Sequence, residues 1–167
     1  MTKPEVFYWD TSCFFDLLKS DMANHAAAVQ IMTAARAGRA TIVTSTVTTT
    51  EVAWLSTRHW QQLVNQGEED LADAWQEAEP AIDVLWRPES PVEMVDPSDR
   101  ITRRAAALVR RSRFEYHLNI TPLDAIHVAT AASEQLPMHT SDKKLELLNG
   151  RVPITIGPPQ IQEPPML

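Results

Sequence analysis

Cysteine is almost absent from this chain: Cys13 stands alone among 167 residues, which excludes a disulfide framework and a thiolate cage for zinc. Glycine is scarce as well, with four in all, and none of them forms a glycine-rich phosphate loop. No apolar run approaches the ~18 residues that span a bilayer. The opening MTKPEVFYWD lacks the basic start, apolar middle and small-residue cleavage site of a signal peptide, so a cytoplasmic protein without membrane association is expected. Positive charge is also in deficit. The 15 Lys and Arg against 22 Asp and Glu leave a formal net charge of −7, which argues against indiscriminate nucleic-acid binding, since that rests on neutralising phosphates with cations. Any nucleic-acid role must use a local basic patch or a metal ion.

What is present is enough apolar residue for one core. With 44% hydrophobic and 22% charged residues, the chain fits a single soluble globular domain. Periodicity gives strands alternating with helices. EVFYW is a first strand, followed by a helical stretch from Asp21 to Ala37 and a second strand from Ala40 to Thr44. Further strands are expected over Val92–Asp96, Leu136–Thr140 and Val152–Ile156. Repeated βα units imply an α/β fold, a five-stranded, mostly parallel sheet flanked by helices on both faces. Between Gly67 and Pro88, Leu71, Trp75, Ala78, Ile82 and Leu85 recur at helical spacing with Pro80 as a kink, which reads as a peripheral helix or a partner surface. The organisation expected is one domain over residues 1–156 and a proline-rich tail over 157–167, extended or disordered.

Four acidic residues stand where chemistry is done. Asp10 follows the first strand and precedes a helical pattern, at the carboxyl edge where open parallel sheets bind ligands. Asp142 repeats that placement after the fourth strand. Either could instead cap the helix it precedes. Glu51 resists the capping explanation: a helix from about Ser45 puts it on one face with Val47, Trp54 and Leu55. A charge in an apolar stripe needs a cation, a hydrogen-bond cage or a metal. Asp124 stands third after Thr121 and Pro122, where it completes a capping box, so its functional case rests on its company. His127, one turn on, is either a satisfied, partly buried histidine or a neighbour of the site.

The stretches YWDTSCFFDLL, TSTVTTTEVAWL, TPLDAIHVATAA and MHTSDKKLELL, in this order and spacing, resemble the PIN domain, and especially the VapC-type ribonuclease toxins of bacterial toxin–antitoxin pairs. The resemblance spans about Val6 to Ile156. It implies that Asp10, Glu51, Asp124 and Asp142 converge on divalent metal as the catalytic group, with Thr11, Ser12, Thr140 and Ser141 as supporting hydroxyls. It also implies an RNA substrate, a cognate antitoxin and a working homodimer. One departure is the long acidic segment from Gly67 to Pro88, larger than in the most compact members.

The chemistry expected of such a cluster is specific. Crowded carboxylates repel one another and take up protons unless a cation relieves them. Oxygen donors without Cys or a closely spaced His pair suit Mg²⁺ or Mn²⁺. An ion of that kind activates water and neutralises a leaving oxygen, so hydrolysis of a phosphodiester requires no protein nucleophile. In DRITRRAAALVRRSRF, a helix places Ile101, Ala105, Leu108 and Ser112 on one side and Arg100, Arg103, Arg104, Arg110 and Arg111 largely on another, with Arg103, Arg104, Arg110 and Arg111 as the RNA-binding candidates. That stripe either holds RNA phosphates or forms a solvated face salt-bridged to the acidic segment. Two other classes compete: a catalytically silent PIN-like module that binds RNA or protein, and a phosphoryl-transfer or phospho-receiver domain. The second is weakened because DTSCF replaces a D-x-D-x-T opening.

Overall fold

The sheet is built around its first strand, β1 (Glu5–Trp9), which has β2 (Ala40–Ser45) on one side and β4 (Met138–His139) on the other. With β3 (Val92–Val95) beyond β2 and β5 (Ile156–Gly157) beyond β4, the order is 3-2-1-4-5 and every pairing is parallel. The structure is a computed structural model and describes residues 3–161. Helices follow the strands in the expected alternation: α1 (Thr11–Leu18), α2 (His25–Arg36), α3 (Val47–Asn65), α4 (Glu69–Ala78), α5 (Asp99–Phe114), α6 (Pro122–Glu134) and α7 (Lys143–Glu146). No helix among the described residues is long and apolar enough to cross a membrane.

Strand alternation divides the core between the two faces of the sheet. Phe7, Trp9 and Ile42 pack with Cys13, Phe14, Ile31 and Val52 on one face. Tyr8 and Val43 pack on the other with Ile101, Leu108, Val128, Leu145 and Leu148. A parallel sheet needs both faces covered, and the helices supply that cover. Burying Phe14 alone, which has no exposed surface, contributes about 1.5–3 kcal/mol.

Several elements differ from expectation. The region read as one helix from Asp21 starts at His25, because the chain turns between the end of α1 and Asn24. The fifth strand lies at Ile156–Gly157 rather than across Val152–Ile156: Asn149 Nδ2 donates to the Ile156 carbonyl at 2.7 Å and the Ile156 N–H donates to Asn149 Oδ1 at 2.8 Å. That side-chain clamp delays pairing until the chain reaches β4. On α3 the buried stripe is Thr48, Val52 and Ser56, one position on from the expected face, which leaves Glu51 half-buried and Trp54 exposed.

Pro80 ends α4, and the chain continues as a 3-10 helix from Glu79 to Trp86. Ile82 and Leu85 reach the core while Leu71 and Ala78 stay exposed. This acidic segment is therefore a peripheral element docked by part of its apolar stripe. Beyond β5, Ile161 packs against the first core cluster; the rest of the tail lies outside the described residues.

Candidate active site

Strand order settles which strand ends adjoin. The chain leaves β1 toward β2 on one side and later returns to β4 on the other, so the carboxyl ends of β1 and β4 flank a topological switch point, the usual ligand crevice of an open parallel sheet. Asp10 follows β1; Thr140, Ser141 and Asp142 follow β4.

Asp10 is the N-cap of α1, as the capping reading allows, and its Oδ1 accepts from the Cys13 backbone N–H at 3.3 Å. Capping alone does not account for the rest of its surroundings. Ser12 Oγ donates to Oδ1 at 2.6 Å and Thr140 Oγ1 donates to Oδ2 at 2.5 Å. Thr140 Oγ1 in turn accepts from the Asp142 N–H at 3.0 Å, so one hydroxyl bridges the two strand ends. The Asp10 side chain is almost wholly enclosed, 5% exposed. Burial pushes its carboxyl above the usual range, and the charge of His127 and the bonds from Ser12, Thr140 and Cys13 only partly offset that. A buried carboxylate short of compensating charge is a place where a cation binds favourably.

Glu51 projects from α3 toward α1 and α6. Its Oε2 accepts from Thr11 Oγ1 at 2.6 Å and from His127 Nε2 at 2.6 Å. His127, 2% exposed, meets the Tyr8 hydroxyl through Nδ1 at 2.8 Å, so both ring nitrogens have partners. Burial pushes the Glu51 carboxyl up, but the hydrogen bond and charge of His127, with the Thr11 hydroxyl, outweigh it and hold it below its ordinary value. Tyr8, raised by burial and by the nearby Asp10 charge, keeps its phenol proton. The partner that Glu51 required is thus a histidine 76 positions away. His127 is satisfied and also part of the site.

Asp124 and Asp142 each cap a helix, and among the described residues no hydrogen bond joins the side chain of Asp124 to Asp10, Glu51 or Asp142. Asp124 completes the capping box of α6, its Oδ2 accepting from the Thr121 N–H at 2.8 Å. Asp142 is the N-cap of α7, its Oδ1 accepting from the Lys144 N–H at 2.9 Å. Among the described residues, Glu51, Asp124 and Asp142 each have one carboxylate oxygen fixed by the protein and the other without a hydrogen-bond partner. Such single-point anchoring orients a carboxylate while leaving a donor site open.

Asp16 escaped the sequence reading. It is 1% exposed on α1, accepts a short hydrogen bond from Ser141 Oγ, and is raised by burial against the pull of Ser141, Asn24 and the charge of His25. Asn24 Nδ2 also donates to Ser141 Oγ at 2.8 Å, while the Ser141 N–H donates to Ser12 Oγ at 2.8 Å. Asp16 therefore connects to Asp10 through two serines. The one sequence signal was its position in YWDTSCFFDLL, where a second acid follows Cys13 by three on the buried face of the same helix.

The donor chemistry suits a hard divalent cation in one respect and not in another. The available atoms are oxygens, several of them on carboxylates. Yet among the described residues no three His, Cys, Asp or Glu side chains gather closely enough to hold an ion between them. Mg²⁺ in particular keeps several waters and binds through one or two carboxylates with substrate phosphate completing its shell. Asp10 and Asp142 are the two acids that the Thr140 hydroxyl links, Asp10 through its carboxylate and Asp142 through its backbone N–H.

The four arginines named from the sequence are all exposed. Arg103 approaches Asp99 at 4.0 Å, Arg111 pairs with Glu115 at 3.3 Å, and Arg104 Nη1 donates to Ser133 Oγ at 3.1 Å. Among the described residues none forms a salt bridge with the acidic segment, so that part of the solvated-face reading does not hold.

The PIN domain family model matches residues 7–150. Three solved structures share the fold. VapBC2 from Rickettsia felis, bound to a DNA fragment from its promoter, is similar with a TM-score of 0.56 at 16% identity, over 90% of this chain and 96% of that one. Mycobacterium tuberculosis VapC20, described as a sarcin–ricin loop cleaving toxin, gives 0.55 at 15% identity over 89% and 96%. A toxin–antitoxin complex from Klebsiella pneumoniae gives 0.51 at 19% identity over 89% and 95%. No curated protein matches the sequence.

Proposed function

The chain belongs to the PIN domain family, and from that premise we propose that it is a divalent-metal-dependent endoribonuclease of the VapC type, the toxin of a toxin–antitoxin pair. The observation that carries the proposal is the link across the switch point in which Thr140 Oγ1 donates to the buried Asp10 carboxylate, itself short of positive charge, and accepts from the Asp142 backbone N–H, while among the described residues one oxygen of the Asp142 carboxylate has no hydrogen-bond partner. In this reading Asp10 and Asp142 hold Mg²⁺ or Mn²⁺, directly or through water, and Asp124 adds a water-mediated contact from the first turn of α6. The ion supplies Lewis-acid charge beside the phosphodiester and makes water a competent nucleophile at neutral pH.

The chain's own residues do the positioning. Glu51, kept ionised, is fixed through Oε2 by Thr11 and His127, so that its other oxygen accepts a proton of the attacking water. Thr140 and Ser12 hold the Asp10 carboxylate in one orientation. No protein nucleophile takes part. An RNA substrate, a cognate antitoxin and a homodimer belong to the same proposal; similarity to structures described as VapBC2 and as a toxin–antitoxin complex supports the antitoxin.

One observation favours a second reading, a PIN-like module that binds RNA or protein without cutting. Both oxygens of Asp10 are already hydrogen-bonded, and among the described residues no three-acid cage is assembled. Cleavage of a mixed RNA pool by the purified chain, free of bound antitoxin, separates the two. The nuclease reading expects cutting with Mg²⁺ or Mn²⁺, none with EDTA, and loss to the EDTA level in Asp10→Asn and Asp142→Asn. Undiminished cutting in either variant refutes the residue assignment, and no cutting by the folded wild type supports the silent module.

A further inference from the structure

Away from the acids, α5, α6 and the approach to β5 enclose a groove of about 500 Å³ lined by Arg100, Arg104, Arg111 and Arg151. In a chain of net charge −7, four guanidinium groups line it and, among the described residues, no carboxylate does. Its floor is the apolar seam of Leu108, Val128 and Ala129. Two of the arginines are set by the same ring: Arg111 and Arg151 stand 5.3 and 4.7 Å from the centroid of Tyr116, a cation–π arrangement that orients both. Arg104 is held by Ser133, and Arg111 also by Glu115. Through Arg100 and Arg104 the groove adjoins a second one lined also by Arg103 and by Asp99, which stands 4.0 Å from Arg103.

We propose that this groove holds the phosphate backbone of the RNA substrate outside the cleavage site, as a second anchoring surface. The inference rests on the nuclease reading above and deepens it. Three features argue for a polyanion rather than a single anion. From Arg100 to Arg111, α5 rises about 17 Å, too long for one phosphate. The guanidinium fork matches phosphate oxygens two at a time. A strongly acidic chain repels RNA unless a patch of this sign offsets the long-range field. Placement also fits, because α6 presents Val128, Ala129 and Ala132 to the groove and carries Asp124 and His127 on a neighbouring face. A strand lying there has about 12 Å of helix, from position 132 back to 124, to follow to the acids. Arg151, which completes the groove, lay outside the arginine stripe seen in the sequence, and Arg110 does not line it.

The test uses the full chain in two measurements. Binding of a labelled 20-nucleotide RNA is followed by anisotropy in EDTA across a salt series, and cleavage of that RNA and of a tetranucleotide is followed with Mn²⁺. For Arg104→Ala/Arg151→Ala the slope of log affinity against log salt is expected to fall by about 1.4, at about 0.7 per lost phosphate contact on a single strand. KM for the long RNA rises, while kcat and tetranucleotide cleavage stay as in wild type. Arg104→Lys/Arg151→Lys keeps the slope. Should the alanine pair unfold, the glutamine pair is expected to lose the same slope.

An unchanged slope and KM overturn the groove while leaving a wild type that cuts RNA as a nuclease. An arginine-dependent slope in a wild type that cuts nothing sinks the nuclease reading and leaves the groove standing. Displacement of RNA by poly-glutamate at equal charge concentration, as effectively as by unlabelled RNA, would mean the groove takes protein carboxylates and overturns the RNA assignment.

Discussion

Asp10 carries a stability cost that its position makes unavoidable. Its folded pKa is raised above the ordinary carboxylate value by burial, so the folded chain holds that proton more tightly than the unfolded chain. By linkage, stability then falls as pH rises from the ordinary Asp value through the raised one, and the penalty is complete above it. Asp10→Asn removes the charge and keeps the shape. In metal-free buffer at pH 7 its Tm is expected to lie above wild type, with the gap closing as pH drops toward the ordinary Asp value. Thermal melts over that pH series check this, and a variant less stable than wild type at pH 7 would show that the three hydrogen bonds outweigh burial. Glu51 behaves with the opposite sign, since its pKa is lowered. Its contribution is present at neutral pH and is lost as acid titrates it.

These two acids also show what the sequence makes legible. That Glu51 needed a partner followed from charge and periodicity within one helix. Which partner it has did not follow, because His127 is brought to it by the tertiary packing of α6. Asp16 stayed hidden because its one local signal, a place three residues after Cys13 on the same helix, does not say what would partner an acid there. Only the Ser141 and Asn24 hydroxyl and amide, from elsewhere in the chain, reveal that it is enclosed.

At the scale of elements, local pattern identified the long pieces and drew the short ones too long. The buried face of α5, with Ile101, Ala105, Leu108 and Ser112, is the one its spacing indicates. The capping box of α6 is likewise written in TPLD. The strands β4 and β5, two residues each, are too short for periodicity to bound. The VPITI stretch has strand-like composition but pairs only at its end. What fixes β5 is the Asn149 clamp on both backbone groups of Ile156. Replacing Asn149 by Ala removes two hydrogen bonds of 2.7 and 2.8 Å and leaves buried backbone groups to find water. A loss of about 1–3 kcal/mol is expected, read as a lower urea midpoint. Asn149→Asp, which keeps an acceptor for the Ile156 N–H, is expected to lose less.

For the whole molecule, the alternation of strands and helices determined the α/β class, yet it left strand order open. The order, 3-2-1-4-5, is what places Asp10 beside Thr140 and Asp142. That arrangement predicts a response to ions independent of turnover. If Asp10 and Asp142 hold the ion in the folded state alone, Mg²⁺ or Mn²⁺ at a hundredfold excess over Kd adds about 2.7 kcal/mol of stability. For a chain of this size that raises Tm by several degrees, at about 2–4 °C per kcal/mol. The Asp10→Asn/Asp142→Asn double variant is expected to show no such rise. An equal rise in both would mean that the cation binds elsewhere.

The sheet is unevenly built. β1, β2 and β3 pair over four residues at each junction, whereas β4 meets β1 and β5 over two. Cooperative units of a fold open separately when few bonds tie them together, and here the weaker unit carries Thr140, Ser141 and Asp142. Amide exchange would then proceed through a sub-global opening in which β4, α7 and β5 detach while the β1–β3 half stays closed. In that transient state Asp10 loses its Thr140 bridge, so assembly and disassembly of the acidic site become a local equilibrium, set by the least stable edge of the sheet rather than by global unfolding.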